Sequence, residues 1–109
     1  MQITTEEKGN YTLIRPEGKL DSATSPVLEE KILTLINEEK RRLLIDFEKL
    51  DYISSAGLRV LLIAAKKSKS INGELRLSSM NSQIKDVFNI SGFSSLFKIY
   101  NSAVEVDFQ

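Results

Sequence analysis

The chain has 109 residues, 41% of them hydrophobic, with 15 Lys+Arg balanced by 15 Asp+Glu. That length and apolar fraction suit a single soluble domain, residues 1–109, with a modest core, and a net charge of zero argues against a non-specific nucleic-acid binder. The absence of Cys and His excludes disulfides, thiol chemistry, a Ser-His-Asp triad and a histidine metal site.

Ile3 to Glu7 reads as a first strand, Gly9-Asn10 as a turn, and Tyr11 to Pro16 as a second strand forming a hairpin with the first. Pro16 is expected to end that strand or to sit at an edge, with Gly18 to Asp21 continuing after a break. A helix start follows: Ser25 is the expected cap, Pro26 the first helical residue, and Glu29 and Glu30 lie near the positive end of the dipole. Leu28, Ile32, Leu35 and Ile36 share one face of that helix. Leu43 to Phe47 is a short apolar run, as a central strand buried on both faces requires.

Glu48 to Asp51 leads through Tyr52-Ile53 into a second helix from Ala56. Its expected buried stripe is Leu58, Leu61, Leu62 and Ala65, and Lys66, Lys67 and Lys69 suit its negative end. Asn72-Gly73 is a turn, and Glu74 to Leu77 the next strand. Asn81 or Ser79 caps a third helix with Ile84, Val87 and Phe88 inward and Gly92 as a left-handed stop. Phe93, Leu96 and Phe97 are expected beneath the sheet, followed by a short strand at Lys98-Ile99-Tyr100. The tail from Ser102 reads equally as strand or helix. Strand–helix–strand repetition implies an α/β fold with a mostly parallel sheet, right-handed crossovers and one antiparallel N-terminal edge strand.

Residues 1–8 lack the apolar core and basic start of a signal peptide, and no apolar run nears the roughly 18 residues of a membrane span. A cytoplasmic protein without membrane insertion is expected. Lys40-Arg41-Arg42 and Lys66-Lys67-Ser68-Lys69 carry no interleaved aromatics and read as solvated surface, so no direct nucleic-acid contact is expected. Ile53 stands where a nucleophile elbow around Ser55 needs its first glycine. Gly18-Lys19 does not complete a phosphate-binding loop, and no G-x-G-x-x-G occurs, so no cofactor is expected. Asp21, Asp46 and Asp51 are carboxylates that could converge, although acids beside strands ordinarily cap or stay solvated. A binding module is expected, not an enzyme.

The informative stretch is Asp51 to Leu62, where Ser54 and Ser55 stand at a strand-to-helix junction. A hydroxyl there is exposed, near free N–H groups and at the positive end of a dipole. The two serines are either helix caps or modification sites. Gly57 either permits close helix–sheet packing or meets a partner, and Asp21 either begins a turn or faces one. One of Leu58 and Val60 is expected inside and the other in an exposed patch.

Gly18-Lys19-Leu20-Asp21 with Thr24, Leu44 to Leu50, Ile53 to Leu61, and Ile90-Ser91-Gly92-Phe93 together resemble the STAS domain, and most closely the bacterial anti-sigma-factor antagonists. The resemblance covers nearly the whole chain and implies the STAS fold. It implies a partner switch: the unphosphorylated antagonist binds an anti-sigma factor with serine kinase activity, phosphorylation releases it, and a phosphatase restores it. The acceptor position falls on Ser55, with Ser54 the second choice. The partner surface it implies comprises Asp21, Ser22, Thr24, Ser54, Ser55, Ala56, Gly57, Leu58 and Arg59. Many such antagonists carry Asp before the acceptor and Ser or Thr after it, where this chain has Ser54 and Ala56. The alternative reading is a STAS docking subunit of a transport or lipid-trafficking ATPase assembly that uses no phosphate.

Overall fold

A computed structural model describes residues 1–108; Gln109, the last residue of the expected domain, lies outside them. The elements run β1 (Gln2–Glu7), β2 (Thr12–Leu20), α1 (Ser25–Asn37), β3 (Arg42–Asp46), β4 (Leu50–Ile53), α2 (Ser55–Ser70), β5 (Glu74–Ser78), α3 (Ser82–Ser91) and β6 (Ile99–Tyr100). The sheet order is β1-β2-β3-β5-β6, with β4 pairing the far end of β2. Among the described residues only β1 is antiparallel, so the expected mixed and mostly parallel sheet is present.

β2 positions the site, and it departs from expectation. It runs unbroken through Pro16. Thr12–Ile14 pair with β3 and Gly18–Leu20 with β4, so Pro16 falls between the two parallel ladders while facing Ile3 of β1. The register shifts between Gly18 and Lys19, and Gly18 takes a φ of 97° there, a conformation that suits glycine. β4 is a separate strand that the sequence does not announce. The chain turns after Phe47, with Leu50 N–H donating to Phe47 O at 3.0 Å, and Asp51 and Tyr52 are both exposed, which erases the period-two signal.

Alternation along the inner strands builds two cores. Ile14, Leu43, Ile45, Leu75 and Leu77 point to the helices, where they meet Leu28, Ile32, Leu61 and Phe88. Leu13 and Leu44 point to the other face, where Phe108, Val106 and Tyr11 cover them. The ambiguous tail is therefore neither a full strand nor a long helix. It makes one 3₁₀ turn at Ala103–Glu105 and then crosses the sheet, with Arg76 stacked 4.2 Å from the Phe108 ring centroid.

The helices differ from expectation in detail. Ser25 is the first helical residue rather than the cap, a position held by Thr24, and Glu29 and Glu30 begin after the first turn. On α2 the buried residues are Gly57, Leu58, Val60, Leu61, Ala64 and Ser68, whereas Leu62 and Ala65 are only half-buried. α2 packs on α1 as well as on the sheet, so its buried face is wider than one stripe. Leu58 and Val60 are both buried, and neither forms an exposed patch. Asn81 caps α3, with Ile84 N–H donating to Oδ1 at 2.8 Å, and Gly92 ends it with φ 81°. Phe97 is buried against Phe88, but Leu96 is exposed. Among the described residues no helix is long and apolar enough to cross a membrane.

Candidate functional site

The site forms where β2 and β4 end side by side. Their last residues, Leu20 and Ile53, are paired, and Ser54 N–H donates to Leu20 O at 2.9 Å. The two segments that follow, Asp21–Thr24 and Ser54–Ser55, therefore leave the sheet next to each other. Such carboxyl ends are where parallel sheets present functional loops.

The first segment is saturated with hydrogen bonds. Ala23 N–H and Thr24 N–H both donate to Asp21 Oδ1 at 3.0 Å. Thr24 Oγ1 accepts from Asp21 N–H at 2.9 Å and donates to Lys19 O at 2.7 Å. Ser25 donates through both its N–H and its hydroxyl to Asp21 O. The Thr24 amide foremost, with Ala23, holds the Asp21 carboxyl below the usual carboxylate range. Asp21 thus begins the turn, and Ser22 projects from its apex, exposed.

The second segment is open. Ser54, extended and half-buried, accepts a long 3.4 Å bond from Gly57 N–H, so its hydroxyl is the helix cap. Ser55, the first helical residue, is exposed, and among the described residues its hydroxyl has no hydrogen-bond partner. The N–H groups of Ser55 and Ala56 likewise have no acceptor there, whereas the first helical bond runs from Leu58 N–H to Ser54 O at 3.0 Å. Two donors and the positive end of a helix of 16 residues thus point at the Ser55 hydroxyl's surroundings.

Packing holds that end in place. Gly57 is buried, and a Cβ there would meet Ile53 Cγ1 at 2.8 Å and Leu20 Cγ at 2.9 Å, so only glycine lets α2 sit this close to both strand ends. Gly57 and Leu58 are turned inward and set the helix position; Ala56 is half-buried, while Ser55 and Arg59 face out. Arg59 lies four residues after Ser55, one turn along the same helix face.

Two residues of this surface lie outside the expected partner set. Tyr52 is 49% exposed, a large aromatic two residues before the serine pair, and it pairs across the ladder with exposed Lys19. An exposed aromatic beside a polar loop was the available clue. The three aspartates do not share one task. Asp46 is fully buried on the second face of the sheet, bonded by Arg15 Nη2 at 2.7 Å and Nε at 3.0 Å, whereas Asp51 is exposed on β4.

The sequence pattern of the STAS domain matches residues 2–106. The chain belongs to the STAS domain family. It is 37% identical over 102 residues to the candidate anti-sigma factor antagonist BtrV of Bordetella bronchiseptica, across 94% of this chain and 88% of that protein. An anti-sigma factor antagonist from Mycobacterium paratuberculosis shares the fold with a TM-score of 0.87 at 19% identity, covering 95% of this chain and 88% of that one. The Bacillus cell fate determinant SpoIIAA, in its phosphorylated form, superposes with a TM-score of 0.74 at 22% identity over 95% of each chain. The likeness to these two structures is a likeness of fold.

Proposed function

We propose that this STAS domain is a cytoplasmic anti-sigma factor antagonist, switched by phosphorylation at Ser55. Unphosphorylated, it binds an anti-sigma factor that is also a serine kinase, through Asp21, Ser22, Thr24, Ser54, Ser55, Ala56 and Arg59, with Tyr52 as an aromatic anchor. Gly57 and Leu58 support that surface from beneath. A phosphatase restores the phosphorylated form. The chain acts by binding rather than by catalysis.

The observation that carries this reading is the contrast between adjacent hydroxyls: Ser54 caps α2, while Ser55 is exposed beside two N–H groups that have no acceptor among the described residues. A phosphoserine adds about −1.5 to −2 charge and strong acceptor oxygens. At Ser55 the free amides, the helix dipole and Arg59 at i+4 can receive it within the domain. The fold is left unchanged and the penalty falls on the interface, where the new charge must be desolvated or repelled. A penalty of about 3 kcal/mol weakens binding roughly a hundredfold.

The test is calorimetric titration against the anti-sigma factor kinases of the native host. Wild type and Ser55→Ala are expected to bind one of them, and Ser55→Asp to bind it far more weakly. Equal affinity for wild type and Ser55→Asp would count against the switch.

A further inference from the structure

The C-terminal half of α2 carries a second feature, remote from the serines. A groove of about 420 Å³ lies between α2, β5 and the segment before β6. Its floor is apolar: Leu62 and Ala65 from α2, Leu75 from β5, and Leu96 and Phe97 from the connecting segment. Leu96 is 57% exposed at its lip, an apolar side chain left facing solvent.

Three cations ring this floor. Lys66 and Lys69 come from successive turns of α2, and Lys98 from the opposite wall. None of them forms a salt bridge among the described residues. Glu74, the one acid among the described residues that line the groove, is already paired: Arg76 grips it through Nε to Oε2 and Nη2 to Oε1, each at 2.7 Å. Lys98 lies over the Tyr100 ring at 5.7 Å and its charge helps hold the Glu74 carboxyl low, so Lys66 and Lys69 are the cations without an ion-pair partner among the described residues, beside an unfilled apolar floor. Pockets of roughly 300–1,000 Å³ with an apolar lining and a few placed polar groups are the usual form of small-molecule sites.

We propose that this groove binds a single-chain amphipathic carboxylate, with its alkyl chain on Leu62, Leu75 and Leu96 and its headgroup among Lys66, Lys69 and Lys98. Ala65 stands ten residues from Ser55, about 15 Å along the helix axis. The site is thus separate from the proposed switch and does not depend on it.

The test is two-dimensional NMR of the isotope-labelled full chain, titrated with octanoate, decanoate and dodecanoate below their micelle concentrations. Saturable shifts are expected in residues 62–69 and 96–98, with affinity rising about fourfold per added methylene until the groove is full. Decanol, which has the chain without the charge, is expected to bind at least tenfold more weakly. Lys66→Glu/Lys69→Glu should lose at least tenfold in decanoate affinity while keeping its melting temperature. Ser55→Asp should bind decanoate as wild type does, so that failure of the switch and failure of this site read out separately. Absence of saturable shifts, shifts centred elsewhere, or equal affinity for decanol would overturn the proposal. So would binding to phosphatidylglycerol vesicles or to an acidic leucine-rich peptide in place of the monomeric carboxylate, which would reassign the groove to a membrane or a protein.

Discussion

Two serines open two helices at the same end of this sheet, and they have opposite fates. Ser25 begins α1, is only 3% exposed, and donates its hydroxyl back to Asp21 O. Ser55 begins α2, is exposed, and has a hydroxyl without a partner among the described residues. The difference lies in the preceding turn. At the start of α1, Ser25 N–H donates to Asp21 O at 2.8 Å and Val27 N–H to Thr24 O at 3.0 Å, Pro26 has no N–H to satisfy, and the Asp21 and Thr24 side chains brace the turn that aims these carbonyls. Among the described residues the start of α2 has only the long Ser54 side-chain cap, and the Ser55 and Ala56 amides have no acceptor. A serine at the first helical position is thus structural where the loop saturates the helix end, and chemically available where it does not.

Breaking the comparison at Ser55 should give the largest effect. Ser55→Asp is expected to weaken partner binding about a hundredfold, equivalent to about 3 kcal/mol, and to shift stability by less than about 0.5 kcal/mol. Titration calorimetry and urea unfolding together check both halves. The mirror change, Ser25→Asp, should do the reverse at the level of the fold. It places a carboxylate in a buried site against a carbonyl oxygen, and a loss of about 3 kcal/mol in unfolding free energy is expected. Equal stabilities for the two Asp variants would erase the distinction.

A smaller effect sharpens the account of why α2 presents Ser55 as it does. Gly57→Ala forces a Cβ to within 3 Å of Leu20 and Ile53, both buried. A destabilisation of about 1–2 kcal/mol is expected, as for overpacking of a filled site. A neutral or stabilising Gly57→Ala in urea unfolding would show that the close approach is not required.

The smallest effect is electrostatic. The Asp21 carboxyl is held below its usual range, chiefly by the Thr24 amide. A lowered value in the folded state means that its contribution is present above the ordinary carboxylate pKa of about 3.9 and is lost as pH falls below that, through the folded value. The start of α1 should therefore be insensitive to pH across the neutral range. An NMR titration of the Thr24 amide proton is expected to show a midpoint below about 3.9, and a midpoint above it would contradict the turn geometry.

Much of this was legible in the sequence because it depends on local rules. The hairpin, the buried run of β3, the Asn81 cap and the Gly92 stop all follow from spacing and backbone chemistry. The serine pair was visible as a strand-to-helix junction. What stayed hidden depends on tertiary partners. β4 has no alternation because both Asp51 and Tyr52 face solvent at the sheet's end. α2 packs on α1 as well as on the sheet, and it buries Val60 and Ala64 while Leu62 and Ala65 stay half-buried, a rotation of the helix that its neighbours set. The tail could not be assigned because Phe108 finds its place only under Arg76 and beside Tyr11, far away in sequence. Local rules alone leave both serines as caps or modification sites, and only the STAS resemblance prefers Ser55; the long bond from Gly57 N–H makes Ser54 the cap of α2.

The central claim is that the open helix start, not the cap, carries the phosphate. Intact-mass and fragment-ion analysis of the protein from its native host, with and without phosphatase treatment, tests it most directly. A single phosphate localised to Ser55 is the predicted result. Phosphate on Ser54, or none under any growth condition, would contradict it.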